Sequence, residues 1–170
     1  EGAGAVSAGK LASGGAVRVA GGGAVKIASA SSVGSLAIQG GGKVQATQLN
    51  AGGPLQVSSR QAVRLGAASS GQTLSVRAGA ALQADQLSAT GRLDVDGKQA
   101  VTLGSVASDG ALSVSAGGNL QAKQLVSNAG LDVRGQREVS LEAASSVRGM
   151  TVAAAGTLAA RNLQSQGAIR

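Results

Sequence analysis

Large apolar residues return along this chain at every nineteenth position, from one end to the other. With Leu112 as position 0, the step gives Val17, Leu36, Leu55, Leu74, Leu93, Leu112, Leu131, Met150 and Ile169. Position 2 is equally regular, running Val19, Ile38, Val57 and then Val at every step to Val152. One residue facing the other way separates the two rows, which is the alternation of a short strand. A third apolar row occupies position 8, from Val6 through Val25, Val44, Val63 and Leu82 to Leu158.

Positions 10 and 13 add a slower rhythm that appears only when they are read together. Position 10 runs Ala8, Ile27, Ala46, Leu65, Ala84, Leu103, Ala122, Leu141, Ala160, and position 13 runs Leu11, Ala30, Leu49, Ala68, Leu87, Val106, Leu125, Ala144, Leu163. Where one is large the other is alanine, as an interior of fixed cross-section requires. The two positions are therefore expected to touch, and the full unit is a pair of coils, a 38-residue double repeat. Leu103 with Val106 breaks the rule, which predicts slightly strained packing in that coil.

Three short apolar segments per period, separated by Gly, Ser, Ala and Asn, predict a solenoid. The expected fold is all-β, a right-handed parallel β-helix of about nine 19-residue coils, with positions 0, 2, 8, 10 and 13 inward. At an interstrand spacing of about 4.8 Å, the rod would be about 40 Å long. Residues 1–170 read as one shaft segment without internal boundary, an uncapped fragment of a longer array continuing into flanking repeats. The glycines at Gly21–Gly23 and Gly40–Gly42 are expected to supply positive φ at tight corners, and Pro54 to mark a corner ahead of a strand. At position 11, Lys123, Glu142 and Arg161 are expected to stack as a ladder of alternating charge, with Arg77 and Asp96 as a similar pair at position 3.

Composition narrows the chemistry. The chain has 28 Gly, one Pro, no aromatic residue, no His and no Cys. Thiolate and imidazole metal sites, an imidazole base and a disulfide framework are thereby excluded, and no cofactor or metal is expected. No stretch reaches the roughly 20 apolar residues of a membrane helix. The long alternating strands and aromatic girdles of a membrane barrel are missing too. The first residues do not read as a signal peptide, and the repeat is expected to be entered partway through a coil.

Asp94, Asp96 and Asp132 are the one carboxylate group to weigh for catalysis, as a pair of acids could cleave glycosides. Their neighbours are as short as Ser113 and Ser115, with no long loop to build a cleft, so no catalytic residue is assigned and no enzyme is expected. The net charge is +7 and uneven. Residues 1–84 carry seven basic residues against Glu1 alone, namely Lys10, Arg18, Lys26, Lys43, Arg60, Arg64 and Arg77, while residues 85–170 carry eight basic and seven acidic ones. The basic half is the candidate contact surface for polyanions such as sulfated, heparin-like glycans. Nucleic acid is excluded as a partner, since stacking aromatics and recognised motifs are both missing.

The units LSVSAGGNLQAKQL, LDVDGKQAVTLGS and LDVRGQREVSLEA resemble the haemagglutinin repeats of the filamentous haemagglutinin family, large exoproteins secreted by Gram-negative bacteria through the two-partner route. The resemblance covers essentially the whole chain. It implies a β-helical shaft, passage through an outer-membrane transporter, a secreted and bacterial-cell-surface location, and a role in host-cell attachment and virulence through the full-length adhesin. It also implies heparin-like binding, without fixing it to residues. An integrin-type Arg-Gly-Asp is missing, the nearest matches being Arg134-Gly135-Gln136 and Arg148-Gly149-Met150.

Overall fold

The structure, a computed structural model, describes residues 4–170. The chain winds as a β-solenoid of two parallel sheets, one of nine strands and one of eight. Each turn contributes a short strand, such as Leu74–Ala78, and a long one, such as Leu82–Ala89. Every strand inside a sheet pairs with its counterparts in the coils before and after, so Leu74 lies between Leu55 and Leu93, and Leu82 between Val63 and Val101. The alternation anticipated from the sequence is present, and so is the register.

The third apolar segment is the far half of the long strand. Burial along Leu82–Ala89 alternates, then gives two exposed residues in succession at Asp85 and Gln86, then alternates again with Leu87 and Ala89 inside. Pairing skips position 11 at this place in every coil, so the strand bends there and turns onto a second face. The cross-section thus has three sides built from two strands.

Inside, Leu36, Leu55, Leu74, Leu93 and Leu112 form one fully enclosed column, with Ile38, Val57, Val76, Val95 and Val114 beside it. Positions 10 and 13 flank the bend and both point inward, as for Leu65 and Ala68. Leu103 and Val106, where strain was expected, are 1% and 0% exposed, so the core accepts both without pushing either toward solvent. At the ends, Val6, Leu11 and Val17 are only partly covered and Leu158 and Ile169 are exposed, because each has a neighbouring coil on one side only.

Two further positions turn inward that the apolar pattern did not reveal. Position 4 is Gly, Ala or Ser throughout, and Gly40, Ala78, Gly97 and Ala116 are buried. Position 15 is serine or alanine, and Ser32, Ser70, Ser108, Ser127 and Ser146 are buried polar residues. Ser32, Ser70, Ser108 and Ser127 donate to turn carbonyls, and Ser146 pairs with the Ser165 hydroxyl of the next coil at 3.1 Å. Ser127 Oγ lies 2.9 Å from the Gly110 carbonyl of the preceding coil and 3.0 Å from that of Gly130, and it accepts from the Ala129 N–H at 3.2 Å. Ser70 repeats the arrangement with Gly53, Thr73 and Gln72 at 2.8, 2.9 and 3.2 Å. A small hydroxyl at this corner supplies the donor that a turn carbonyl facing the core would otherwise lack.

The turn glycines are needed for a different reason from the one expected. No described residue, glycine or other, has positive φ. The constraint is the closeness of stacked turns: a Cβ on Gly41 would sit 2.1 Å from the Gly22 carbonyl oxygen, and one on Gly79 2.1 Å from that of Arg60. The turns themselves are hydrogen-bonded coil to coil, Gly41 N–H to Gly21 and Gly79 N–H to Ser59, at 2.8 and 2.9 Å. Pro54 sits just outside its strand, and its carbonyl accepts from the Leu36 N–H at 2.9 Å.

Compensation between positions 10 and 13 can be measured by a double-mutant cycle on one coil. Leu65→Ala should cost about 2–5 kcal/mol and Ala68→Leu about 1–3 kcal/mol in urea unfolding. The double variant, which returns the coil to its original volume, should fall short of the summed loss by at least about 1 kcal/mol; strict additivity would show that the two positions do not share space. Ser127→Ala should cost about 1 kcal/mol, since Ala51 and Ala89 already occupy the equivalent place, whereas Ser127→Val should cost more by overfilling the corner.

Candidate functional site

Strand geometry decides which of the seven basic residues can act together. Position 9 points outward from the near half of each long strand, and stacking sets Lys26, Gln45, Arg64 and Gln83 in a single row on four consecutive coils. Lys26 and Arg64 are two coils apart, about 9.6 Å along the rod. Small residues run along both sides of this row, and two open grooves result. One, of about 660 Å³, has Ala28 and Gly66 in its floor and Lys26, Gln45, Thr47, Arg64, Gln83 and Asp85 on its walls. The other, of about 300 Å³, runs along the opposite side, with Ala62, Ala81 and Ala100 in its floor and Lys43 at its edge.

Three of the seven predicted contacts, Lys26, Lys43 and Arg64, therefore share a face. All three are exposed, and none lies within ion-pairing distance of a carboxylate among the described residues. The other four are elsewhere. Lys10 is on the far half of its long strand, and Arg18 and Arg77 point outward from the short-strand sheet. Arg60 lies at a turn, beside a hollow of about 250 Å³ walled by Gly21, Gly22, Gly40 and Gly41. The amides Gln45 and Gln83 were not anticipated, although sharing position 9 with Lys26 and Arg64 was a sufficient signal. A row alternating cation and amide, with small residues beside it, can hold the acidic groups and hydroxyls of a chain lying along the axis. Asp85 is the one acid lining the larger groove, and it sets the limit of the cationic stretch.

The expected charge ladders are not formed. Lys123, Glu142 and Arg161 occupy the bend that inter-coil pairing skips, and they make no ion pair with one another. Arg77 and Asp96 are register neighbours but are not ion-paired. The pairs that do form lie within single coils, where residues two apart face the same way: Arg92 with Asp94 and Arg134 with Asp132, each at 2.8 Å. These arginines engage two of the three carboxylates weighed for catalysis. Asp94 and Asp132 are separated by Ser113 in the ladder, on a flat strand face. Among the described residues no three carboxylates gather closely enough to hold a metal ion.

Asp132 carries a residual cost, because its Oδ1 is enclosed without a hydrogen-bond partner while Oδ2 meets Arg134. No family model, no curated protein and no solved structure matches this chain. Asp132→Ser would place at this site the residue found in the preceding coil at Ser113, so unfolding free energy should stay within about 0.5 kcal/mol of the parent or rise. A loss above about 2 kcal/mol in urea melts would instead make the Asp132–Arg134 pair a structural necessity.

Proposed function

We propose that this chain is shaft: a segment of a secreted, filamentous bacterial adhesin that extends host-binding regions away from the cell. The observation that carries the reading is the unbroken coil-to-coil register over all the described coils, with loops too short to form a cleft. Such a rod transmits length and stiffness, and each added pair of coils extends it by about 9.6 Å without changing the ends. The repeat resemblance points the same way. Antibody raised against the segment should label intact source cells from outside and detect the protein in culture supernatant. Label confined to the cytoplasm would overturn the reading.

A second reading is favoured by the grooves beside Lys26, Lys43 and Arg64, namely that this face holds a sulfated, heparin-like glycan. Retention of the segment on immobilised heparin, released by salt, is the expected result. The Lys26→Gln/Arg64→Gln variant should elute at distinctly lower salt than Arg18→Gln/Arg77→Gln, though both lose two charges. Equal shifts would mean that only net charge matters, and flow-through at physiological ionic strength would leave the shaft without this activity.

A further inference from the structure

The far half of the long strands forms a third face, with a character opposite to that of the cationic grooves. Its outward positions are 12 and 14. From Ser29 onward neither row holds a charged residue: position 12 reads Ser29, Gln48, Ala67, Gln86, Ser105, Gln124, Ala143, Asn162, and position 14 is likewise Ser, Asn, Ala, Val or Gln. Shallow grooves of about 280 and 200 Å³ follow this face.

The two-coil period is written on it as well. Gln48, Gln86 and Gln124 lie on every second coil, about 9.6 Å apart, and the residue between them is Ala67 or Ser105. The side-chain amides of all three glutamines are exposed, and none makes an intramolecular hydrogen bond among the described residues. Each amide offers two donors and an acceptor to whatever lies along the face. Position 14 contributes further hydroxyl and amide groups, Ser69 bonding Asn50 at 3.1 Å with Ser88 beside them.

Width, charge and period restrict the occupant. Positions 12 and 14 are two residues apart on one strand, so the strip is about 7 Å wide. That is too narrow for a protein interface, which needs about 800 Å² from each partner. An ionic ligand would find no counter-charge in either of these two rows from Ser29 onward. An extended neutral polysaccharide is a linear chain of hydroxyls, and its two-sugar unit is comparable in length to the step between successive glutamines. We propose that this face binds a neutral β-1,4-linked polysaccharide laid along the rod, one disaccharide for each pair of coils, with the amides of Gln48, Gln86 and Gln124 bonding successive units. With no aromatic platform, each disaccharide binds weakly, and affinity accumulates with the number of repeats engaged.

The test uses the intact segment with xylohexaose and cellohexaose, followed by NMR of the glutamine side-chain NH2 groups. Titration should shift the amides of Gln48, Gln86 and Gln124 while leaving Gln39 and Gln56, on the short-strand sheet, in place. The hexasaccharide should bind at least about tenfold more tightly than the disaccharide of the same sugar. Gln86→Ala/Gln124→Ala should weaken hexasaccharide binding at least about fivefold with an unchanged melting temperature, and Lys26→Gln/Arg64→Gln should leave it unaltered. Unmoved glutamine amides at tens of millimolar hexasaccharide would overturn the proposal. So would shifts that follow protein concentration without sugar, which would assign the strip to a second copy of this chain. Binding lost equally in the Lys26/Arg64 variant would place the sugar on the cationic face instead.

Discussion

Everything in this molecule depends on one constraint: the backbone of each coil hydrogen-bonds to the coils before and after it, in strands and in turns alike. The Val44 N–H reaches the Ala62 carbonyl at 3.0 Å, and the Gly42 N–H reaches that of Gly23 at 2.8 Å. A ladder continuous through the corners leaves no coil free to gain or lose a residue without breaking bonds on both sides. Equivalent residues are thereby held about 4.8 Å apart, and side chains must fill layers of nearly equal area. The alternation of Leu with Ala at positions 10 and 13 answers that demand in the core. Glycine answers it at the turns, where the restriction is the distance to the carbonyl below and not the sign of φ.

The legible part of the fold is the part that apolarity marks. Leucine and valine at positions 0, 2 and 8 announce the inward rows, and a fixed step between them gives parallel register without further assumptions. What stayed hidden has polar or minimal side chains. Ser127 and Ser70 lie in the interior because a hydroxyl beside a turn carbonyl satisfies both groups, and a hydropathy pattern cannot tell this serine from an exposed one. Gly97 and Ala116 are buried by lack of room, which is equally silent in the pattern. Lys123, Glu142 and Arg161 show the converse error: equal spacing in sequence gave a ladder on paper, but position 11 is where the strand bends and the pairing skips a residue.

The same periodicity governs the surface, and there it separates side-chain chemistries by face. A side chain chosen once per coil becomes a row, and one chosen every second coil becomes a row with twice the spacing. Position 9 uses this to set Lys26 and Arg64 two coils apart with an amide between them, while position 12 sets glutamines at that spacing with no charge from Ser29 onward. Net charge alone could not distinguish these rows, since the seven N-terminal basic residues divide among different faces. Grouping by position within the coil does distinguish them.

A rod of this kind also changes what a weak contact can accomplish. A globular protein usually concentrates its recognition in one concave, desolvated site, whereas a solenoid repeats a shallow contact along a line at little cost to the core. A single glutamine amide facing water is a poor ligand, because its bonds to a sugar replace equally good bonds to solvent. Several at a fixed interval bind a ligand of the same interval more strongly, as each later contact is intramolecular once the first is made. The rigidity imposed by the inter-coil hydrogen bonds is therefore the source of any selectivity along these faces: a flexible chain bearing the same residues would match every repeat length equally.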